Sequence, residues 1–443
     1  MTIWTPILHD SGVPIYLRVA DALERDVRAG TLVAGSRLPT HRDLARELGV
    51  TPVTVTRAYA EAAKRGLVEA STGRGTFVRA VRREAAMSAD IDLATNVINI
   101  PLPAPSASVL RRAAETLDAN YSVGPGSERH RAAGAAWIGR RTDPAQVIIT
   151  AGTQHAIFVA FAAVTRPGDA VFTEAVTYHG AKAAAAQLNV KLLPLPLDRY
   201  GLLPDAFARA CRARAAKVLY TIPSLHNPTG LVMPEKRRRD VAAVAEQYGV
   251  TIIEDDVCGF LLEKTPAPLA AFAPDRTLFL TGLGKSIAAG MRIGYIAAPE
   301  PLLSRAQSAL AASVLFASPL LAEIAASWIE DGTAARIVLQ KRAEAALRNR
   351  IARRILGERA SRTDPRSLHL WMDLPRRWNP DAFVEEARRR HVRVASASSF
   401  AVGSEVPRAI RISIGAPAAV SELETALNVI VGIDEERAEE TVV

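Results

Sequence analysis

A lysine stands at the end of an apolar run in the segment TLFLTGLGKSIAAGMRIGYIAAPE, and an arginine follows it seven positions later. This lysine, Lys285, is one of only eight among the 443 residues, so its place among small, flexible neighbours calls for a reason. A lysine amine acts as a nucleophile only after it has lost a proton, which burial and nearby positive charge favour. A surface lysine is the ordinary alternative, but the strand before Lys285 and the segment GMRIGY after it favour a functional lysine.

An acidic cluster ends the apolar segment VTIIEDDVCGF. Strands of an open α/β sheet present ligand-binding groups at their carboxyl ends, so Asp255 is placed where it could bind a ligand. Glu254 and Asp256 flank it, and the residues alone leave either of them able to take the same role. A cluster that only caps a helix is a further alternative.

The elements that must position these groups follow two different patterns. Up to about residue 78, apolar residues at every fourth position from Ile15 to Val27 predict a first helix, and Thr40 and Pro52 mark the starts of two more. LVEASTGRGTFVRA then alternates as two short strands around a turn. Two closely joined helices followed by a basic hairpin are typical of a winged helix-turn-helix domain.

The chain after a charged segment, interpreted as a linker over residues 80–92, alternates between strand-like and helix-like segments. The strand candidates are VIIT, AVFTE, KLLPLPL, KVLYTIPS, VTIIEDDV, TLFLTG and RIGYIAA. This alternation predicts an α/β layer with a mainly parallel sheet. Towards the end, SLHLWMDLP, VRVASASSF and AIRISIG predict a smaller α+β domain.

The bulk composition excludes several classes of protein. No run of about 18 apolar residues predicts a membrane span, and the N-terminus lacks the pattern of a secretory signal. Two cysteines without metal-ligand spacing predict no metal site and suit a reducing cytoplasm. The net charge of +9 fits nucleic-acid binding, although arginines are spread along the whole chain.

These segments resemble two known families. The first eighty residues, with PIYLRVADAL, GSRLPTHRDLARELGVTPVTVTRAY and GLVEASTGRGTFV, resemble the GntR family of bacterial repressors. The rest resembles the aspartate-aminotransferase superfamily, which is fold type I of the pyridoxal-phosphate enzymes. The two in this order resemble the MocR subfamily of GntR-type regulators. The resemblance implies a winged helix-turn-helix domain (1–79), a linker (80–92) and an aminotransferase-like domain (93–434), divided into a large part (about 93–330) and a small part (about 331–434).

The resemblance also implies pyridoxal 5′-phosphate as the cofactor. Lys285 would form a Schiff base with its aldehyde, and Asp255 would pair with its pyridine nitrogen. Asn227, in SLHNPTG, resembles the residue that bonds the phenolic oxygen, and Tyr178, in TEAVTYHG, resembles the aromatic that stacks on the ring. A plain Asn-Pro turn and a core tyrosine are the alternatives for these last two.

The phosphate would be held at the turn AGTQ, where a helix N-terminus offers free N–H donors. Gly152, Thr153 and Gln154 form this turn, and Arg292 would add charge-assisted bonds. Tyr121 would reach a phosphate across a dimer interface. Arg411, in AIRISIG, resembles the arginine that grips a substrate carboxylate, which makes the expected ligand an amino acid or other amine.

Three positions depart from the family pattern. Gly282 stands where a serine or threonine often contacts the phosphate, and Cys258 stands where a tyrosine often contacts the phenolic oxygen. Val176 replaces a usual proline before Tyr178. These departures predict retained cofactor binding with at most weak transaminase turnover.

The helix from Pro52 to Lys64 is expected to enter the major groove of DNA. The candidate DNA contacts are Arg37, Thr40, Arg42, Thr51, Thr54, Arg57 and Arg74, the last at the tip of the wing. His41 replaces a common serine, which leaves its contact open. A single module reads little sequence, so a homodimer, with its DNA-binding domains possibly swapped, is expected on the operator.

The favoured hypothesis is a cytoplasmic transcription regulator that senses an amino acid or other amine by Schiff-base exchange at Lys285. An active aminotransferase that carries a DNA-binding domain is the alternative. A structural DNA-binding protein without a cofactor would leave Lys285, Asp255 and Arg292 unexplained.

Overall fold

The computed structural model describes residues 4–6, 8, 14–28, 32, 35–65, 67–71, 75–78, 90–116, 124–139, 142–360 and 362–439. The chain divides into two compact units, residues 1–89 and residues 90–443. Within the described ranges, no helix combines the length and the apolar character needed to cross a membrane.

The first unit has the predicted helices and hairpin. In chain order, its elements are α1 (Ile15–Arg28), α2 (His41–Glu47), α3 (Pro52–Lys64), β1 (Val68–Ser71) and β2 (Gly75–Val78). The strands β1 and β2 pair antiparallel. Val19, Leu23, Leu44 and Val55 lie in its apolar core. Ile15, the first residue of α1, remains 40% exposed at the end of this apolar face.

Side-chain caps fix where α2 and α3 begin. The hydroxyl of Thr40 accepts a hydrogen bond from the main-chain N–H of Asp43 at 3.2 Å, as its predicted role as an N-cap requires. The hydroxyl of Thr51 accepts one from the N–H of Thr54 at 3.3 Å, and Pro52 occupies the first turn of α3. The two caps hold the four residues between the helices in a tight turn.

The second unit contains the remaining elements. Its strands are β3 (Ile91–Asp92), β4 (Val147–Thr150), β5 (Ala170–Glu174), β6 (Lys191–Leu195), β7 (Leu197–Asp198), β8 (Gly201–Leu202), β9 (Val218–Thr221), β10 (Thr251–Asp255), β11 (Thr277–Gly282), β12 (Gly294–Ala297), β13 (His369–Asp373), β14 (Val392–Arg393), β15 (Ala395–Ser396) and β16 (Ala409–Ser413). Its helices are α4 (Ala107–Glu115), α5 (Glu128–Ile138), α6 (Thr153–Val164), α7 (His179–Gln187), α8 (Pro204–Arg212), α9 (Glu235–Tyr248), α10 (Leu283–Ser286), α11 (Glu300–Val314), α12 (Pro319–Glu330), α13 (Thr333–Leu356), α14 (Pro380–Arg389) and α15 (Val420–Glu439).

A seven-stranded sheet forms the centre of this unit in the order β4-β12-β11-β10-β9-β5-β6. The pairs among β11, β10, β9, β5 and β6 are parallel, whereas β12 runs antiparallel to both of its neighbours. Residues 283–293 connect β11 to β12, which is too short for the helical crossover that a parallel pair needs. The prediction of a mainly parallel α/β layer is confirmed, and Lys285 lies in this short connection.

A smaller antiparallel sheet, β13-β16-β15, carries the second apolar core of the unit. Leu93 is fully buried in this core, and β3 pairs parallel with β14. Residues 91–92, which were predicted to be the end of the linker, are therefore part of the folded unit. The reason is that Ile91 and Leu93 supply apolar side chains that this core takes up.

Candidate functional site

One cavity of about 410 Å³ collects the predicted cofactor residues. Its lining includes Gly152, Thr153, Gln154, Tyr178, Asn227, Asp255, Lys285, Arg292 and Arg411. These side chains come from the ends of several strands and from the starts of α6 and α7. Tyr121 lies outside the described residues, so its predicted phosphate contact stays a prediction.

Lys285 lies on the four-residue helix α10, directly after β11. Its amine donates a hydrogen bond to the main-chain oxygen of Asn96. Burial lowers the pKa of the Lys285 amine, and the charge of Arg411 lowers it further. Both effects favour the neutral amine that nucleophilic attack requires. The main-chain oxygen of Lys285 accepts from the ammonium group of buried Lys341 at 2.9 Å, which fixes the turn.

The three consecutive acidic residues at the end of β10 point to different surroundings, because alternate residues of a strand face opposite sides. Asp255 is 1% exposed and lines the cavity, whereas Glu254 accepts the N–H groups of Leu269 and Ala270, both at 3.0 Å. Asp256 lines a different cavity. Of the three carboxylates, that of Asp255 is the one that lines the cavity with Lys285.

Asp255 is held by two hydrogen bonds. The hydroxyl of Tyr220 donates to its Oδ2 at 2.7 Å, and the N–H of Val257 donates to its Oδ1 at 3.2 Å. Burial raises the pKa of Asp255 to about 6, although the bond from Tyr220 acts in the opposite direction. A cationic partner in the cavity would favour the ionised carboxylate.

The start of α6 forms an anion cradle. Gly152 precedes the helix with φ at 89°, in the left-handed region that favours glycine, and no side chain caps the helix there. A Cβ at Gly152 would lie 3.1 Å from the guanidinium carbon of Arg292. Arg292 itself adopts φ of 41°, a conformation that costs a non-glycine residue roughly 1–3 kcal/mol and concentrates at functional sites. Free N–H donors, a helix dipole and an arginine here suit a phosphate.

Arg411 lies on β16 and is 3% exposed. Its Nη1 donates to Oδ1 of Asn227 at 2.9 Å, its Nη2 donates to the main-chain oxygen of Ala94, and its guanidinium lies 4.8 Å above the ring of Phe400. Burial lowers the pKa of Arg411 to about 10, so it remains a cation at neutral pH. The bond from Arg411 orients the Asn227 amide by its oxygen, and its Nδ2 group can donate to a ligand.

The cavity has unmet hydrogen-bonding capacity. Gln154 Oε1, Asn96 Oδ1 and Arg411 Nε are buried and have no hydrogen-bond partner within the described part of the chain. Buried polar atoms are normally paired, so the lining fits a polar ligand that completes these bonds. Together with an amine, a carboxylate and an anion cradle, this matches the parts of pyridoxal phosphate and of an amino acid.

Cys258 also lines the cavity and is buried. Burial raises the pKa of its thiol to about 12, against the opposing charge of Lys285. The thiol is therefore neutral near pH 7 and is a weak hydrogen-bond donor. It is no substitute for the phenol that the family often has at this position.

In the first unit, the predicted DNA contacts lie around α2 and α3. Arg37, Thr40, Arg42, Thr51 and Arg57 are exposed, and Thr54 is half-buried; Arg74 lies outside the described residues. His41 places its Nδ1 3.1 Å from the hydroxyl of Thr56, so it connects α2 to α3. Val53, which the sequence reasoning missed, exposes 63% of its surface at the start of α3.

Comparison with known proteins assigns both units. A family model for aminotransferases of class I and II matches residues 89–430, and a model for bacterial regulatory proteins of the gntR family matches residues 15–78. YdeF, an uncharacterized HTH-type transcriptional regulator of Bacillus subtilis (strain 168), is 31% identical over 96% of each chain. The probable rhizopine catabolism regulatory protein MocR of Rhizobium meliloti is 25% identical over 73% of each chain. The chain belongs to the MocR-type regulators.

Solved aminotransferases share the fold of this MocR-type regulator. An archaeal alanine:glyoxylate aminotransferase is 23% identical, with a TM-score of 0.71 over 79% of this chain and 91% of that one. The α-aminoadipate aminotransferase LysN of Thermus thermophilus, complexed with N-(5′-phosphopyridoxyl)-L-leucine, is 22% identical. The match covers 87% of this chain and 100% of LysN, with a TM-score of 0.69. The predicted fold class, a winged helix-turn-helix domain joined to a fold type I domain, is confirmed. The gntR match implies DNA binding, and the aminotransferase family implies use of pyridoxal phosphate.

Sequence reasoning missed three residues of this MocR-type regulator's cavity site. Ala94 and Asn96 contact Arg411 and Lys285 through main-chain oxygens, for which no side-chain pattern exists. Tyr220 bonds Asp255 from the neighbouring strand β9. The sequence places Tyr220 in the strand KVLYTIPS, but its contact with Asp255 could be found only from the order of the strands in the sheet.

Proposed function

We propose that the second unit of this regulator binds pyridoxal phosphate at Lys285 and senses an amino acid or other amine, whose binding alters the affinity of the first unit for DNA. One observation carries the proposal: the Lys285 amine, the Asp255 carboxylate and the Arg411 guanidinium line the same cavity. These are the groups that an aldehyde, a pyridinium and an α-carboxylate would need.

The bound cofactor would supply an electrophilic aldehyde on a ring that stabilises negative charge. The chain's own residues would hold it in place. Lys285 provides the amine that attaches it, and the ligand's amine would take over that position by exchange. Burial lowers the pKa of the Lys285 amine, which favours the neutral form that attacks an aldehyde.

Asp255 would hold a proton on the pyridine nitrogen. Its burial makes an isolated negative charge costly, so a cationic ring nitrogen is the partner that stabilises the ionised form. Tyr220, on the neighbouring strand β9, orients the carboxylate through its 2.7 Å hydrogen bond. Tyr178 would cover the ring, and Asn227 would donate to the phenolic oxygen.

The start of α6 and Arg292 would take the phosphate, with Tyr121 of a second copy as a further contact in a homodimer. Arg411 would take the carboxylate of the ligand through the Nε that has no partner in the described residues. The first unit, with Arg37, Thr40, Arg42, Thr51, Thr54, Arg57 and Arg74, would contact operator DNA. Since such a regulator acts at the chromosome, we place the protein in the cytoplasm.

An active aminotransferase is the second candidate, because Asp255, Asn227 and Arg411 are all present in the cavity. Cys258 argues against an active aminotransferase. A neutral, buried thiol would not tune the reactivity of the cofactor's phenolic oxygen as a tyrosine phenol does. Turnover of an amino acid with a keto-acid acceptor, faster than with free pyridoxal phosphate, would favour the enzyme.

A spectral titration tests the proposal. The full chain is loaded with pyridoxal phosphate and titrated with a panel of amino acids, and binding to a duplex selected by the protein from random sequence is measured in parallel. We expect one group of amino acids to change both the absorbance and the DNA affinity. In Lys285→Ala both responses should be lost, whereas the exposed Lys236→Ala should retain them. A Lys285→Ala protein with a normal DNA response contradicts the proposal.

A further inference from the structure

Two residues of one short segment accept hydrogen bonds from Lys285 and Arg411, the groups to which the proposed function gives the cofactor's aldehyde and the ligand's carboxylate. The main-chain oxygen of Ala94 accepts from Arg411 Nη2, and the main-chain oxygen of Asn96 accepts from Lys285 Nζ. We call Ala94, Thr95 and Asn96 the strap. All three line the cavity, so the strap lies where a ligand that joins Lys285 to Arg411 must bind.

The chain on both sides of the strap is fixed to the small sheet. The main-chain N–H of Leu93 donates to the oxygen of Arg393 at 2.8 Å, and its oxygen accepts from Ser413 at 2.7 Å. Beyond the strap, the N–H of Asn99 donates to the oxygen of Gly415 at 3.4 Å. A change in the strap is therefore confined between two fixed points.

One side chain shapes the strap from outside the cavity. Oδ1 of Asp92 accepts from the N–H groups of Ala94 at 2.7 Å and Thr95 at 2.9 Å, and its Oδ2 accepts from the Thr95 hydroxyl at 2.6 Å. Burial acts to raise the pKa of Asp92, but these bonds outweigh it and lower the pKa. This turn presents the Ala94 oxygen to Arg411.

We propose that the strap is an internal ligand that makes the site selective for amines that also carry a carboxylate. The Ala94 oxygen occupies Arg411 until a carboxylate replaces it, and the Asn96 oxygen receives the Lys285 amine whenever that amine is free. This inference rests on the proposed function, because it takes from it the roles of Lys285 and Arg411.

Hydrogen-bonding geometry supports the selection. A carboxylate docks on a guanidinium most strongly through two parallel N–H bonds. In Arg411, Nη1 bonds Asn227 and Nη2 bonds Ala94, while Nε has no partner among the described residues. A carboxylate completes Nε and displaces the neutral oxygen of Ala94, because an ionised acceptor forms the stronger bond. An amine without a carboxylate leaves the strap on Arg411.

The place of the strap in the chain gives this selection a regulatory consequence. It follows β3 directly, and β3 begins one residue after the second unit starts at residue 90. The main chain stays anchored at Leu93, so release of Ala94 acts on β3 through the hydrogen bonds that the Asp92 side chain accepts from Ala94 and Thr95. The ligand has a differential effect on DNA binding only if it favours one of these two arrangements of the strap.

Two conjugates test the inference on the full, cofactor-free chain. N-(5′-phosphopyridoxyl)-L-leucine carries the carboxylate, and N-(5′-phosphopyridoxyl)-3-methylbutylamine is the same molecule without it. Hydrogen exchange of the Ala94 and Thr95 amides is measured with each conjugate. We expect faster exchange with the leucine conjugate only, since only it releases the strap. Equal exchange in the two complexes overturns the inference.

The variant Asp92→Ala removes the turn, and the matched Asp92→Asn removes the charge while keeping an acceptor oxygen. In Asp92→Ala the dissociation constant of the leucine conjugate should fall by on the order of tenfold, the contribution of one hydrogen bond to a charged group. That of the amine conjugate should not change, and Asp92→Asn should show a smaller gain. An unchanged or weakened affinity for the leucine conjugate, or equal gains for both conjugates, overturns the inference.

The two proposals fail in different ways. If the chain binds neither conjugate, both the proposed function and the inference about the strap are contradicted. If it binds both without the expected differences, only the strap is contradicted. Hydrogen exchange uses the unaltered protein, so the inference stays testable even if Asp92→Ala does not fold.

Discussion

The hydroxyl of Thr153 fills the space that a side chain at Gly282 would need. A Cβ placed on Gly282 would come within 3.0 Å of Thr153 Oγ1 and of the main-chain oxygen of Ile293. Gly282 has an extended backbone, with φ and ψ both at 176°, which any residue adopts. Glycine is therefore required here by space and not by conformation, and Thr153 offers a hydroxyl where the family often has one at position 282.

Gly282→Ser should accordingly disturb the cradle. Overpacking of this kind costs about 1–3 kcal/mol, so we expect a lower free energy of unfolding and weaker binding of pyridoxal phosphate. The double variant Thr153→Ala, Gly282→Ser should recover part of both, since it removes the clash with the Thr153 hydroxyl but leaves the main-chain oxygen of Ile293 at 2.9 Å. Fluorescence titration with pyridoxal phosphate and thermal unfolding measure the two effects. Gly290→Ala is the control, because no atom of the described residues lies within 4 Å of a Cβ there. A double variant as weak as Gly282→Ser would contradict this account.

Asp255 should make the stability of the cofactor-free protein depend on pH. Its pKa is raised from 3.8 to about 6 by burial, so between these values the unfolded chain loses a proton that the folded chain keeps. The free energy of unfolding therefore falls as the pH rises from about 4 to 6, by about 3 kcal/mol for a shift of about two pKa units. It stays at this lower value above pH 6.

The variant Asp255→Asn cannot ionise at this position, so it lacks the loss of stability that ionisation of the buried carboxylate causes. Without cofactor, its unfolding temperature should exceed that of the unaltered protein at pH 8 and approach it at pH 4, while its affinity for pyridoxal phosphate should be lower. The exposed Asp275→Asn serves as the control. A stability difference between Asp255→Asn and the unaltered protein that does not vary between pH 4 and pH 6 would rule out the raised pKa.

Arg411→Lys should separate carboxylate recognition from cofactor binding. Lysine keeps the charge but loses the fork that accepts a carboxylate in two parallel bonds. Affinity for N-(5′-phosphopyridoxyl)-L-leucine should fall by roughly tenfold or more, with little change for the conjugate of 3-methylbutylamine. The control is Arg408→Lys, at an exposed arginine directly before β16. Equal losses for both conjugates would show that Arg411 does not read the carboxylate.

Arg57→Ala should weaken binding to a selected duplex. Arg57 is exposed on α3, and loss of one phosphate or base contact costs about 1–3 kcal/mol. Binding is measured over a range of salt concentrations, where loss of a phosphate contact lowers the salt slope by about one. Arg350→Ala, an exposed arginine of the second unit, should bind normally. Normal binding by Arg57→Ala would remove it from the interface.

The sequence predicted those parts of the site that have side-chain signatures. Lys285 was recognisable as a lysine after a strand and among small residues, and Arg292 was assigned from its place in the family motif GMRIGY; the strands around them formed as expected. The choice of Asp255 over Glu254 needed the family register; in the structure Asp255 and not Glu254 lines the cavity, because alternate residues of a strand face opposite sides.

The strap could not be predicted in this way. Asn96 and Lys285 are 189 residues apart in the chain, and Ala94 and Arg411 are 317 apart. Their contacts use main-chain oxygens, which every residue has, so residue type carries no signal. The pairing of β3 with β14 was missed for a similar reason: a two-residue strand is too short for a period to be visible.

The most direct test of the account is to locate the covalent attachment of the cofactor. The full chain is incubated with pyridoxal phosphate, reduced with borohydride, digested and mapped by mass spectrometry. We expect the label on the peptide that contains Lys285, and its loss when a binding amino acid is added before reduction. A label on another lysine, or none, would contradict the central claim that Lys285 holds the cofactor.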